Sequence, residues 1–528
     1  MNVKCRALNL AAIIEWNARR FPNKECIVYE DFVNPPKRIT YREFCERIHA
    51  SAKALLDLGI QKGDRIAIIL YNCPEYVELF HSACKIGAIT VPINHRLAGP
   101  EISYIINKTR PVAIVSEPEF INTISSVKSE WTTVKHYLCV GGPVPEGWIS
   151  YDKFVTENLG VKVPNVEVGL DDTIRILFTT GTTGFPKGVE ITYLMHYFKT
   201  LAHIIHHNLT PADKLVFAGT MFHVVYDLAP ANVLTVGGTV ILHRRWNARK
   251  YVEAIERERA TIIGHIPTAL IDIANLPDIK KYDLSSVRLI WDGGQATPEA
   301  IIRKILEIFP NATFAYGYGL TESTSGDNFF DYFDREGALK RPGSSGTAVP
   351  FVDIGVVDDQ GNFLGPGQVG EIVLRGPKVA TRYYEAPKET EEAFKNGWFH
   401  TGDIGKIDEE GYIYILDRKK DMIKSGGENI ASIEIDSVLY EHPKVLEAAT
   451  IAVPDKRWME VPAAFIVPKP GEVLTEEELR EFCLKKLAKF KVPKYFIFVK
   501  ELPKSPVGKI LKRELRELAK KYLPELYQ

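Results

Sequence analysis

Apolar and polar positions along the first part of the chain predict helices that alternate with short buried strands. Apolar residues recur at helical spacing in three segments, residues 8–21, 41–58 and 75–86. Between and after them lie short runs of apolar and β-branched residues, at 66–70, 88–92 and 112–115. This alternation predicts an α/β fold with mostly parallel sheets, because strands covered by helices on both faces are apolar throughout.

The pattern continues to a charged segment that predicts a domain boundary. Apolar strand-like runs occur at 172–177, 215–218, 289–291 and 370–376, and the last of the series is residues 412–416. It leads directly into Asp-Arg-Lys-Lys-Asp at 417–421, and a charged linker after a buried strand is a common place for domains to separate. We therefore expect a large domain over residues 1–417, a hinge at 418–421 and a small α+β domain over 422–528.

Composition and charge add exclusions to this picture. The chain has 528 residues, of which 45% are hydrophobic and 25% charged, and this length is enough for more than one core. A formal net charge of −1 and a pI of about 6.9 favour neither nucleic acid nor an anionic membrane as a partner. No apolar run approaches the ~18 residues of a membrane-spanning helix, and the N-terminus does not resemble a signal peptide.

Cysteine usage points to a reducing compartment. The seven cysteines are scattered and odd in number, at positions 5, 26, 45, 73, 84, 139 and 483. No Cys-x-x-Cys pair is present, so the sequence predicts neither a disulfide framework nor a zinc site. We expect a cytoplasmic protein.

One Thr- and Gly-rich stretch after a predicted strand has the composition of an anion-binding loop. Residues 178–188 read Phe-Thr-Thr-Gly-Thr-Thr-Gly-Phe-Pro-Lys-Gly. Glycine permits the positive φ values that gather backbone N–H groups into a concave anion site, and the threonine hydroxyls and Lys187 can add further donors. The stretch therefore predicts a polyphosphate site, with a flexible linker as the alternative.

The same stretch does not fit a Walker-type P-loop. That motif places Gly-Lys-Ser/Thr at its end, where this chain has Pro186-Lys187-Gly188. Pro186 has no N–H to offer a phosphate, and no hydroxyl follows Lys187 to hold magnesium.

Further motifs follow in order along the chain. Residues 289–296 form a predicted strand that ends in paired glycines, which allow the backbone to approach a flat ligand closely. Residues 316–323 read Tyr-Gly-Tyr-Gly-Leu-Thr-Glu-Ser. An aromatic ring between glycines can stack on adenine, and a carboxylate such as Glu322 suits Mg²⁺, which takes few carboxylates and shares phosphates. The other motifs are Thr-Gly-Asp at 401–403, Ser-Gly-Gly-Glu-Asn at 425–429 and a Pro/Gly-shaped loop around Lys509 at 503–510.

These motifs, spanning roughly residues 174–511, resemble the acyl-adenylate-forming (AMP-binding) superfamily. This superfamily includes acyl-CoA synthetases, 4-coumarate–CoA ligases, carrier-loading adenylation enzymes and firefly-type luciferases. The resemblance implies a large multi-lobed N-terminal α/β domain and a small mobile C-terminal domain. It also implies catalytic roles for Lys509, Thr183, Glu322 and His223, with Glu322 as the Mg²⁺ ligand.

The resemblance implies a nucleotide site assembled from several motifs. Asp403 is expected to accept hydrogen bonds from the ribose hydroxyls, with Arg418 beside it. The full set of implied ATP and AMP contacts is Thr179, Thr180, Gly181, Thr182, Thr183, Lys187, Gly294, Gln295, Ala296, Tyr316, Gly317, Tyr318, Gly319, Thr321, Asp403, Ile415, Arg418 and Lys509.

One motif of the implied acyl pocket departs from the family pattern. Related enzymes read close to Ser-Gly-Gly-Ala-Pro where this chain has Asp292, Gly293, Gly294, Gln295 and Ala296. The implied lining residues are His223, Val224, Tyr226, Trp291, Asp292, Gly293, Gly319 and Ser325. Asp292 is compatible with an acid that carries a hydroxyl or an amine, whereas His223 and Trp291 are also compatible with ordinary core positions.

The C-terminal part is implied to serve both halves of the reaction. The glycine loop Lys424, Ser425, Gly426 and Gly427 is implied to line the tunnel for the pantetheine arm of coenzyme A. Lys509 is implied to neutralise phosphate oxygens, although an isolated lysine would ordinarily be solvated. Lys420 is the implied hinge residue about which the small domain rotates between the two half-reactions.

The expected function is that of an ATP- and Mg²⁺-dependent carboxylic acid–CoA ligase. Its partners would be small molecules, with no nucleic acid, and a homodimer is compatible with the sequence. We expect a medium- or long-chain fatty acid as the substrate, with an aryl acid of the cinnamate or benzoate type as an alternative.

Three other activities share part of this pattern. A carrier-loading adenylation enzyme is disfavoured by the lack of a carrier segment in the sequence, and a non-catalytic acyl-nucleotide sensor would not need both Glu322 and Lys509. A luciferase-like oxygenase shares all the motifs, so an assay of light or oxygen use would be needed to separate it from a CoA ligase.

Overall fold

The structure is a computed structural model that describes residues 6–179, 186–294, 297, 299–426, 428–505 and 510–527. Within these residues the α-helices are α1 (Leu10–Arg20), α2 (Tyr41–Asp57), α3 (Pro74–Ile86), α4 (Gly99–Thr109), α5 (Ile121–Ser125), α6 (Tyr151–Thr156), α7 (Tyr193–His207), α8 (Val225–Leu228), α9 (Pro230–Val236), α10 (Ala248–Glu258), α11 (Pro267–Ala274), α12 (Glu299–Ile308), α13 (Gly337–Lys340), α14 (Pro387–Ala393), α15 (Ser432–Tyr440), α16 (Glu476–Leu484) and α17 (Lys512–Tyr522).

The strands of the first half of the chain are β1 (Arg6–Ala7), β2 (Glu25–Glu30), β3 (Lys37–Thr40), β4 (Arg65–Ile69), β5 (Ile89–Pro92), β6 (Ala113–Ser116), β7 (His136–Cys139), β8 (Ile149–Ser150), β9 (Val168–Gly169), β10 (Thr173–Thr179), β11 (Lys187–Thr192), β12 (Lys214–Phe217), β13 (Thr239–His243) and β14 (Ile262–His265). Those of the second half are β15 (Leu289–Gly293), β16 (Thr313–Tyr318), β17 (Asn328–Phe329), β18 (Thr347–Ala348), β19 (Asp353–Val357), β20 (Gly370–Arg375), β21 (Phe394–Lys395), β22 (Trp398–Ile407), β23 (Ile413–Arg418), β24 (Ile423–Ser425), β25 (Glu428–Ile430), β26 (Val445–Asp455), β27 (Met459–Pro468) and β28 (Tyr495–Phe498).

Two large sheets form most of the N-terminal part, as the predicted α/β class requires. One has seven strands in the order β11-β10-β5-β4-β6-β7-β8, and all its pairs are parallel except β10 with β11. The other has nine strands in the order β18-β17-β16-β15-β14-β12-β13-β2-β3, with a parallel centre from β16 to β2 and antiparallel edges. Strands β15 and β16, which lead into two of the predicted motifs, are neighbours in the nine-stranded sheet, whereas β10, which leads into the predicted phosphate loop, lies next to the edge strand β11 of the seven-stranded sheet.

Local sequence signals explain where the early helices begin and end. Helix α2 starts at a capping box in which Thr40 and Glu43 bond each other's backbone N–H groups. Helix α3 has a proline in its first turn and ends at Gly87, whose φ of 75° suits glycine. The three helical segments predicted from periodicity correspond to α1, α2 and α3, each within a few residues of its predicted bounds.

One apolar core joins the two large sheets. It includes Phe44, Phe80, Tyr193 and Tyr226, all of which are almost fully buried, and it extends to Trp291 on β15. A second core lies on the other face of the nine-stranded sheet, between it and helices α10 to α12. The functional side chains described below project from strand ends at the edge of these cores.

The C-terminal part contains two smaller five-stranded sheets. Strands β19, β20, β22, β21 and β23 form an antiparallel sheet, and β25, β24, β27, β26 and β28 form the other with α15, α16 and α17 around it. Strand β23 runs through Arg418, so Arg418 belongs to the strand and the turn to β24 covers residues 419–422. The predicted strand over residues 412–416 thus begins one residue later and ends two residues later than expected.

The described helices include none that is both long enough and apolar enough to span a bilayer. The six described cysteines are free thiols. The predicted domain limits at residues 417 and 421 remain a prediction.

Candidate active site

The hairpin of β10 and β11 presents the predicted phosphate loop. The two strands pair antiparallel from Thr173 with Thr192 to Thr179 with Lys187, so the loop between Thr179 and Lys187 connects the end of the hairpin. The predicted strand before the loop is therefore confirmed, and a second strand follows it. Thr180, Gly181, Thr182 and Thr183 lie outside the described residues.

Lys187 and Glu322 both contact Tyr383, Lys187 at the ring and Glu322 at the hydroxyl. The ammonium group of Lys187 lies 5.2 Å from the ring centroid of Tyr383, a cation–π distance. The hydroxyl of the same tyrosine donates to Glu322 Oε1 at 2.9 Å. Tyr383 itself is held in place by the bridge between its backbone and Val189 on β11. Two motifs that are separate in the sequence, the phosphate loop and the segment after β16, are thus joined through Tyr383.

Glu322 is a half-buried carboxyl group in mixed electrostatic surroundings. Burial raises its pKa above the ordinary value, while the Tyr383 hydroxyl and the charge of Arg418 lower it and Asp403 raises it. The first of these influences is the largest. A carboxylate held this way is costly to keep ionised without a cation, and this favours a metal ion or a phosphate-bound cation beside it.

Asp403, Tyr318 and Arg418 form a compact hydrogen-bonded group. Tyr318 donates its hydroxyl to Asp403 Oδ2 at 2.6 Å, and Arg418 Nε lies 3.1 Å from Asp403 Oδ1. Asp403 on β22 pairs directly with Arg418 on β23, so the sheet register fixes the second contact. Asp403 is almost fully buried, whereas Arg418 keeps 44% of its side chain exposed. The predicted adenine, ribose and arginine positions are therefore adjacent.

Glycines in this region are required by chain packing. A Cβ on Gly293 would lie 2.5 Å from the carbonyl oxygen of Gly317 on the neighbouring strand β16. One on Gly317 would overlap Phe329, and one on Gly319 would lie 2.8 Å from the carbonyl carbon of Ser325. Gly294, in contrast, has a φ of 85° and needs glycine for its backbone conformation. Glycine at 293 and 317 is therefore already required by the close packing of neighbouring strands, whether or not a ligand also approaches the backbone there.

A strained turn follows Glu322 immediately. Thr324, Ser325 and Gly326 have φ values of 58°, 67° and 63°, and the first two are not glycine. The turn is held by a hydrogen bond from Ser325 N to Leu320 O at 2.7 Å and by Thr324 Oγ1, which donates to Lys378 O at 3.1 Å. Left-handed backbone in non-glycine residues costs of order 1 kcal/mol or more each, and such conformations concentrate at functional sites.

A buried ion pair supports the same turn. Lys378 Nζ contacts Asp327 Oδ1, and both side chains are completely buried. Lys378 Nζ also donates to the carbonyl oxygen of Gly326 at 3.2 Å. Neither Lys378 nor Tyr383 was predicted as a site residue, because both lie in the loop after β20, where no local sequence pattern marks them.

Three of the predicted acyl-pocket residues lie in or just before helix α8. Val224 and Tyr226 are buried, and the Tyr226 ring packs 4.9 Å from the guanidinium carbon of Arg175 and 5.6 Å from the ring of Phe80. Tyr226 therefore also serves the core between the two large sheets. His223 precedes helix α8 and is half-buried, with its backbone N–H bonded to Thr220 O at 3.2 Å.

Trp291 and Asp292 occupy opposite faces of the nine-stranded sheet, because successive residues of a strand alternate. Trp291 packs in the core that faces α7 and α9, whereas Asp292 pairs in register with Tyr316, which packs on the other core. Asp292 accepts a hydrogen bond from the Thr297 hydroxyl, and burial raises its pKa to about 8. The two residues therefore cannot line the same wall of one pocket.

The predicted coenzyme A loop forms the end of a hairpin. Strands β24 and β25 pair from Ile423 with Ile430 to Ser425 with Glu428, which places Gly426 at the turn with a φ of 59°. A Cβ on Gly426 would lie 2.6 Å from Trp458 Cε3, and Trp458 remains 43% exposed. Lys424 is exposed, and its backbone N–H bonds Glu460 Oε2 at 2.8 Å. Gly426 thus lies in a tight turn, and its role in binding coenzyme A stays a prediction.

The predicted hinge residue lies in the turn between β23 and β24. Lys420 is exposed, and its carbonyl accepts a hydrogen bond from Arg516 Nη2 at 3.4 Å. Just before the turn, Asp417 accepts from Ser432 N at 2.7 Å at the start of α15. These bonds connect the turn to helices α15 and α17.

Three of the remaining predicted nucleotide contacts lie in the described part, and others lie outside it. Tyr316 ends up half-buried, Thr321 opens the short turn that carries Glu322, and Ile415 lies on β23 beside Gly405. Gln295, Ala296, Gly427 and Lys509 lie outside the described residues. Within the described residues no group of three or more His, Cys, Asp and Glu side chains could hold a metal by itself.

Comparison with known proteins identifies the family. Residues 14–384 match the AMP-binding enzyme family, and residues 434–509 match the AMP-binding enzyme C-terminal domain. A long-chain-fatty-acid–CoA ligase of Mycobacterium tuberculosis is 36% identical over 482 residues, which cover 91% of this chain and 93% of that protein. A feruloyl-CoA synthase of Amycolatopsis sp. is 33% identical, covering 90% and 93%. Among solved structures, an anthranilate CoA ligase in complex with anthranoyl-AMP superposes with a TM-score of 0.91 at 28% identity and covers 98% of both chains.

The chain belongs to the AMP-binding enzyme family. It is an acid–thiol ligase of the AMP-forming class, with ATP and coenzyme A as cofactors. The suspected superfamily and the fold class expected from it are both confirmed.

Proposed function

We propose that this enzyme joins a carboxylic acid to coenzyme A in two steps at the site between β10, β16 and β23. In the first step a carboxylate oxygen attacks the α-phosphorus of ATP, the bond from that phosphorus to the bridging oxygen breaks, and pyrophosphate leaves. In the second step the thiol sulfur of coenzyme A attacks the acyl carbon, AMP leaves with its phosphate oxygen, and the thiol proton is released.

The convergence of residues from four separate motifs supports this proposal. Lys187 and Glu322 contact the same Tyr383, while Asp403 contacts both Tyr318 and Arg418. Two anions must meet in the first step, so the site has to offer positive charge and hydrogen-bond donors where charge develops. Such preorganised donors are worth about 10²–10³-fold in rate each.

Each residue has a role that its position suggests. Tyr318, between two glycines, is placed to stack on adenine, and Asp403 is placed to accept from the ribose hydroxyls alongside Arg418. Lys187, Thr179 and the loop residues up to Thr183 provide donors to the phosphates. Thr321 adds a hydroxyl near the α-phosphate, and Lys509 adds a charge from the C-terminal part.

The residues present fit a magnesium ion shared with the nucleotide. Mg²⁺ takes one or two carboxylates together with phosphate oxygens, and Glu322 is a single half-buried carboxylate of this kind. When bound, Mg²⁺ would supply charge neutralisation for the triphosphate. The Tyr383 hydroxyl orients Glu322 for this purpose and helps to keep it ionised.

The second step is proposed to use a different face of the C-terminal part. Gly426 at the β24–β25 turn, with Lys424, Ser425 and Gly427, would line the tunnel for the pantetheine arm. Rotation about the turn at Lys420 would exchange this face for the one that carries Lys509. The exposed position of Lys420 in a turn between two strands supports its role as the hinge.

Two substrate classes have support among the relatives. The predicted medium- or long-chain fatty acid agrees with the name of the mycobacterial relative, whereas aryl acids agree with those of the feruloyl-CoA synthase and the anthranilate CoA ligase. The opposed positions of Trp291 and Asp292 leave Trp291 as the candidate wall of the acyl pocket. A cytoplasmic location and a homodimeric assembly remain predictions, and the free thiols are compatible with the first.

A panel of acids tests the proposal. Pyrophosphate release from ATP is measured with each acid, first without coenzyme A and then with it, and the thioester is identified by mass spectrometry. We expect acid-dependent pyrophosphate release in both conditions and thioester only with coenzyme A. Acid-dependent light emission or oxygen uptake in place of a thioester would favour the luciferase-like alternative.

A further inference from the structure

Helix α7 buries a row of polar side chains where an apolar face would be expected. Lys199, Thr200, His203 and His207 of this helix are all buried, and both histidines are completely so. A helix that packs on a core normally turns an apolar stripe towards it. This polar row therefore calls for a reason beyond packing.

The end of the row joins a set of aromatic rings. The His203 and His207 ring centroids are 5.7 Å apart, and His207 lies 5.3 Å from the Trp291 ring and 4.8 Å from the Phe329 ring. His203 lies 5.6 Å from Phe329. We call His203, His207, Trp291, Phe329 and Thr200 the α7 cluster.

Polar atoms of the α7 cluster have no hydrogen-bond partner among the described residues. They are both ring nitrogens of His203, both ring nitrogens of His207, Nε1 of Trp291 and Oγ1 of Thr200. A buried polar group without a partner costs about 1–3 kcal/mol, and most buried polar atoms in proteins are paired. Several such atoms in one contiguous group are best explained by a ligand that bonds them.

The α7 cluster adjoins the active site directly. A Cβ added at Gly326 would lie 2.8 Å from His203 Nε2, so the histidine ring packs against the strained turn that follows Glu322. Trp291 lies two residues before Gly293, on the strand whose end borders the predicted nucleotide site. A substrate whose carboxyl group reaches the α-phosphate can therefore extend towards these rings.

The cluster is neutral at physiological pH. Burial lowers the pKa of both His203 and His207 well below the ordinary value. The His207 ring and the charges of Lys378 and Lys199 further lower the pKa of His203, and His206 and Arg288 further lower that of His207. A neutral imidazole has one donor and one acceptor nitrogen, while the Trp291 indole only donates. The set therefore offers both donors and acceptors but no formal charge of its own.

We propose that the α7 cluster is the far end of the acyl pocket, and that it selects a carboxylic acid bearing a hydroxyl group at the end away from its carboxyl group. This assignment rests on the proposed CoA ligase function. A hydroxyl both donates and accepts, so it can bond a histidine nitrogen and the indole N–H or a second histidine together. Trp291 and Phe329 supply the apolar walls for the rest of the acid.

Other substrate ends fit this cluster less well. An alkyl end would leave the histidine and indole nitrogens unpaired, and a site built to bond a hydroxyl rejects the analogue that lacks it. A second carboxylate would lose its hydration beside neutral rings, and the nearest cations, Lys378 and Lys199, already bond Asp327 and Asn232. An ammonium group would find no opposite charge there and would lie near those two lysines. The two possible sources of the hydroxyl, a phenol and an aliphatic alcohol, share the same hydrogen-bonding chemistry.

Binding of matched acyl-adenylate analogues tests the assignment without requiring turnover. The probes are acyl-sulfamoyl adenosines in two pairs, para-hydroxycinnamoyl with cinnamoyl and ω-hydroxydodecanoyl with dodecanoyl. Dissociation constants are measured for the wild-type protein, for His207→Phe and for His206→Phe. The last variant is the control, because His206 Nε2 already lies 3.2 Å from the carbonyl oxygen of Phe330.

We expect the wild-type protein to bind the hydroxylated member of at least one pair about tenfold more tightly or better. His207→Phe should reduce that preference to within about threefold, while His206→Phe should retain it. The pair that shows the preference identifies the hydroxyl as phenolic or aliphatic.

Equal or tighter wild-type binding of the unsubstituted member in both pairs would overturn the hydroxyl assignment, and so would an unchanged preference in His207→Phe. Because pyrophosphate release is measured separately, an active ligase without hydroxyl preference refutes this inference alone. Failure of every analogue to bind, together with no acid-dependent pyrophosphate release, refutes the proposed function and the inference with it.

Discussion

Glu322 is the residue whose protonation state matters most for the proposed chemistry, because burial and its neighbours shift its pKa in opposite directions. Burial raises its pKa, and the neighbouring Tyr383 hydroxyl and Arg418 counteract part of that rise. A group in this position is poised to bind a cation in its ionised form, and its affinity should depend on pH.

Replacing Glu322 by glutamine should remove magnesium-dependent adenylation while leaving the fold intact. The amide keeps the shape of the side chain but cannot serve as an anionic ligand, so we expect a loss of about 10²–10³-fold in pyrophosphate release. The measurement is the initial rate against Mg²⁺ concentration, with circular dichroism as the control for folding. Near-normal activity at limiting Mg²⁺ would remove Glu322 from the metal site.

Tyr383→Phe should move the acid limb of the adenylation pH profile to higher pH. The active form of Glu322 is the carboxylate, so activity falls as the pH drops through its raised pKa; without the donated hydrogen bond that pKa rises further. The measurement is the rate of pyrophosphate release in the first half-reaction as a function of pH. Tyr384→Phe, at the next position, is the control and should keep the wild-type profile; an unshifted limb in Tyr383→Phe would contradict the assigned role.

Asp403→Asn should weaken ATP binding by about 1–3 kcal/mol, the range for losing charge-assisted hydrogen bonds. The substitution keeps the side-chain volume, but the amide can no longer accept from the ribose and from both Tyr318 and Arg418 in the same way. Calorimetric titration with ATP gives the change. Asp353→Asn, which alters an exposed pair with Arg375, is the control; equal affinities of the two variants would exclude Asp403 from the ribose site.

At the scale of elements, periodicity was sufficient for the helices and parallel strands but not for the chemistry of loops. The strands that precede the motifs were predicted because buried parallel strands are continuous apolar runs, as at residues 215–218 before His223. The Asp403–Arg418 pair follows from strand register, which no local pattern specifies. Tyr383 and Lys378 were missed because their positions depend on the loop after β20 folding back onto Glu322.

The glycines of β15 and β16 illustrate the same limit. From the sequence, the paired glycines at the end of β15 predict close approach of a flat ligand, and those around Tyr318 predict space for its ring to stack on adenine. The structure adds a packing requirement at Gly293 from neighbouring backbone and at Gly317 from Phe329. Trp291 and Asp292 were both assigned to the acyl pocket, although alternation along β15 sends them to opposite faces of the sheet.

Gly317→Ala should therefore lower the free energy of unfolding by about 1–3 kcal/mol, the usual cost of overpacking. The added methyl group would overlap Phe329 and lie 2.5 Å from the carbonyl oxygen of Asn328. Denaturant unfolding measures the change, with Gly264→Ala as the matched control on β14, where the nearest atom to a new Cβ is Trp291 Cε3 at 3.5 Å. Equal stability of the two variants would show that the strand can move to accept the methyl group.

In the molecule as a whole, one C-terminal part has to serve both steps of the proposed reaction. Gly426 and its neighbours are proposed to approach the acyl-adenylate in the second step, whereas Lys509 is proposed to act only in the first. The turn between β23 and β24 would have to absorb the change in backbone angles, as hinges in other proteins do. Its bonds to Arg516 and, through Asp417, to Ser432 are the contacts that such a rotation would rearrange.

Lys509→Ala should impair the first half-reaction and spare the second. A lysine ammonium is a compact point charge that can neutralise phosphate oxygens, and no pyrophosphate leaves in the second step. Rates of acyl-adenylate formation from acid and ATP are compared with rates of thioester formation from supplied acyl-adenylate. Equal losses in both would indicate a structural role for Lys509.

The most direct test of the central claim is a single-turnover experiment on Lys420→Pro, in which acyl-adenylate and acyl-CoA are quantified by mass spectrometry at successive times. Proline fixes φ near −65° and disfavours helical angles at Lys419, so it should block the rotation without touching either set of catalytic residues. The account predicts acyl-adenylate formation close to the wild-type rate and a large loss of thioester formation, in a variant that melts like the wild type. A folded variant that completes both steps at wild-type rates would contradict it.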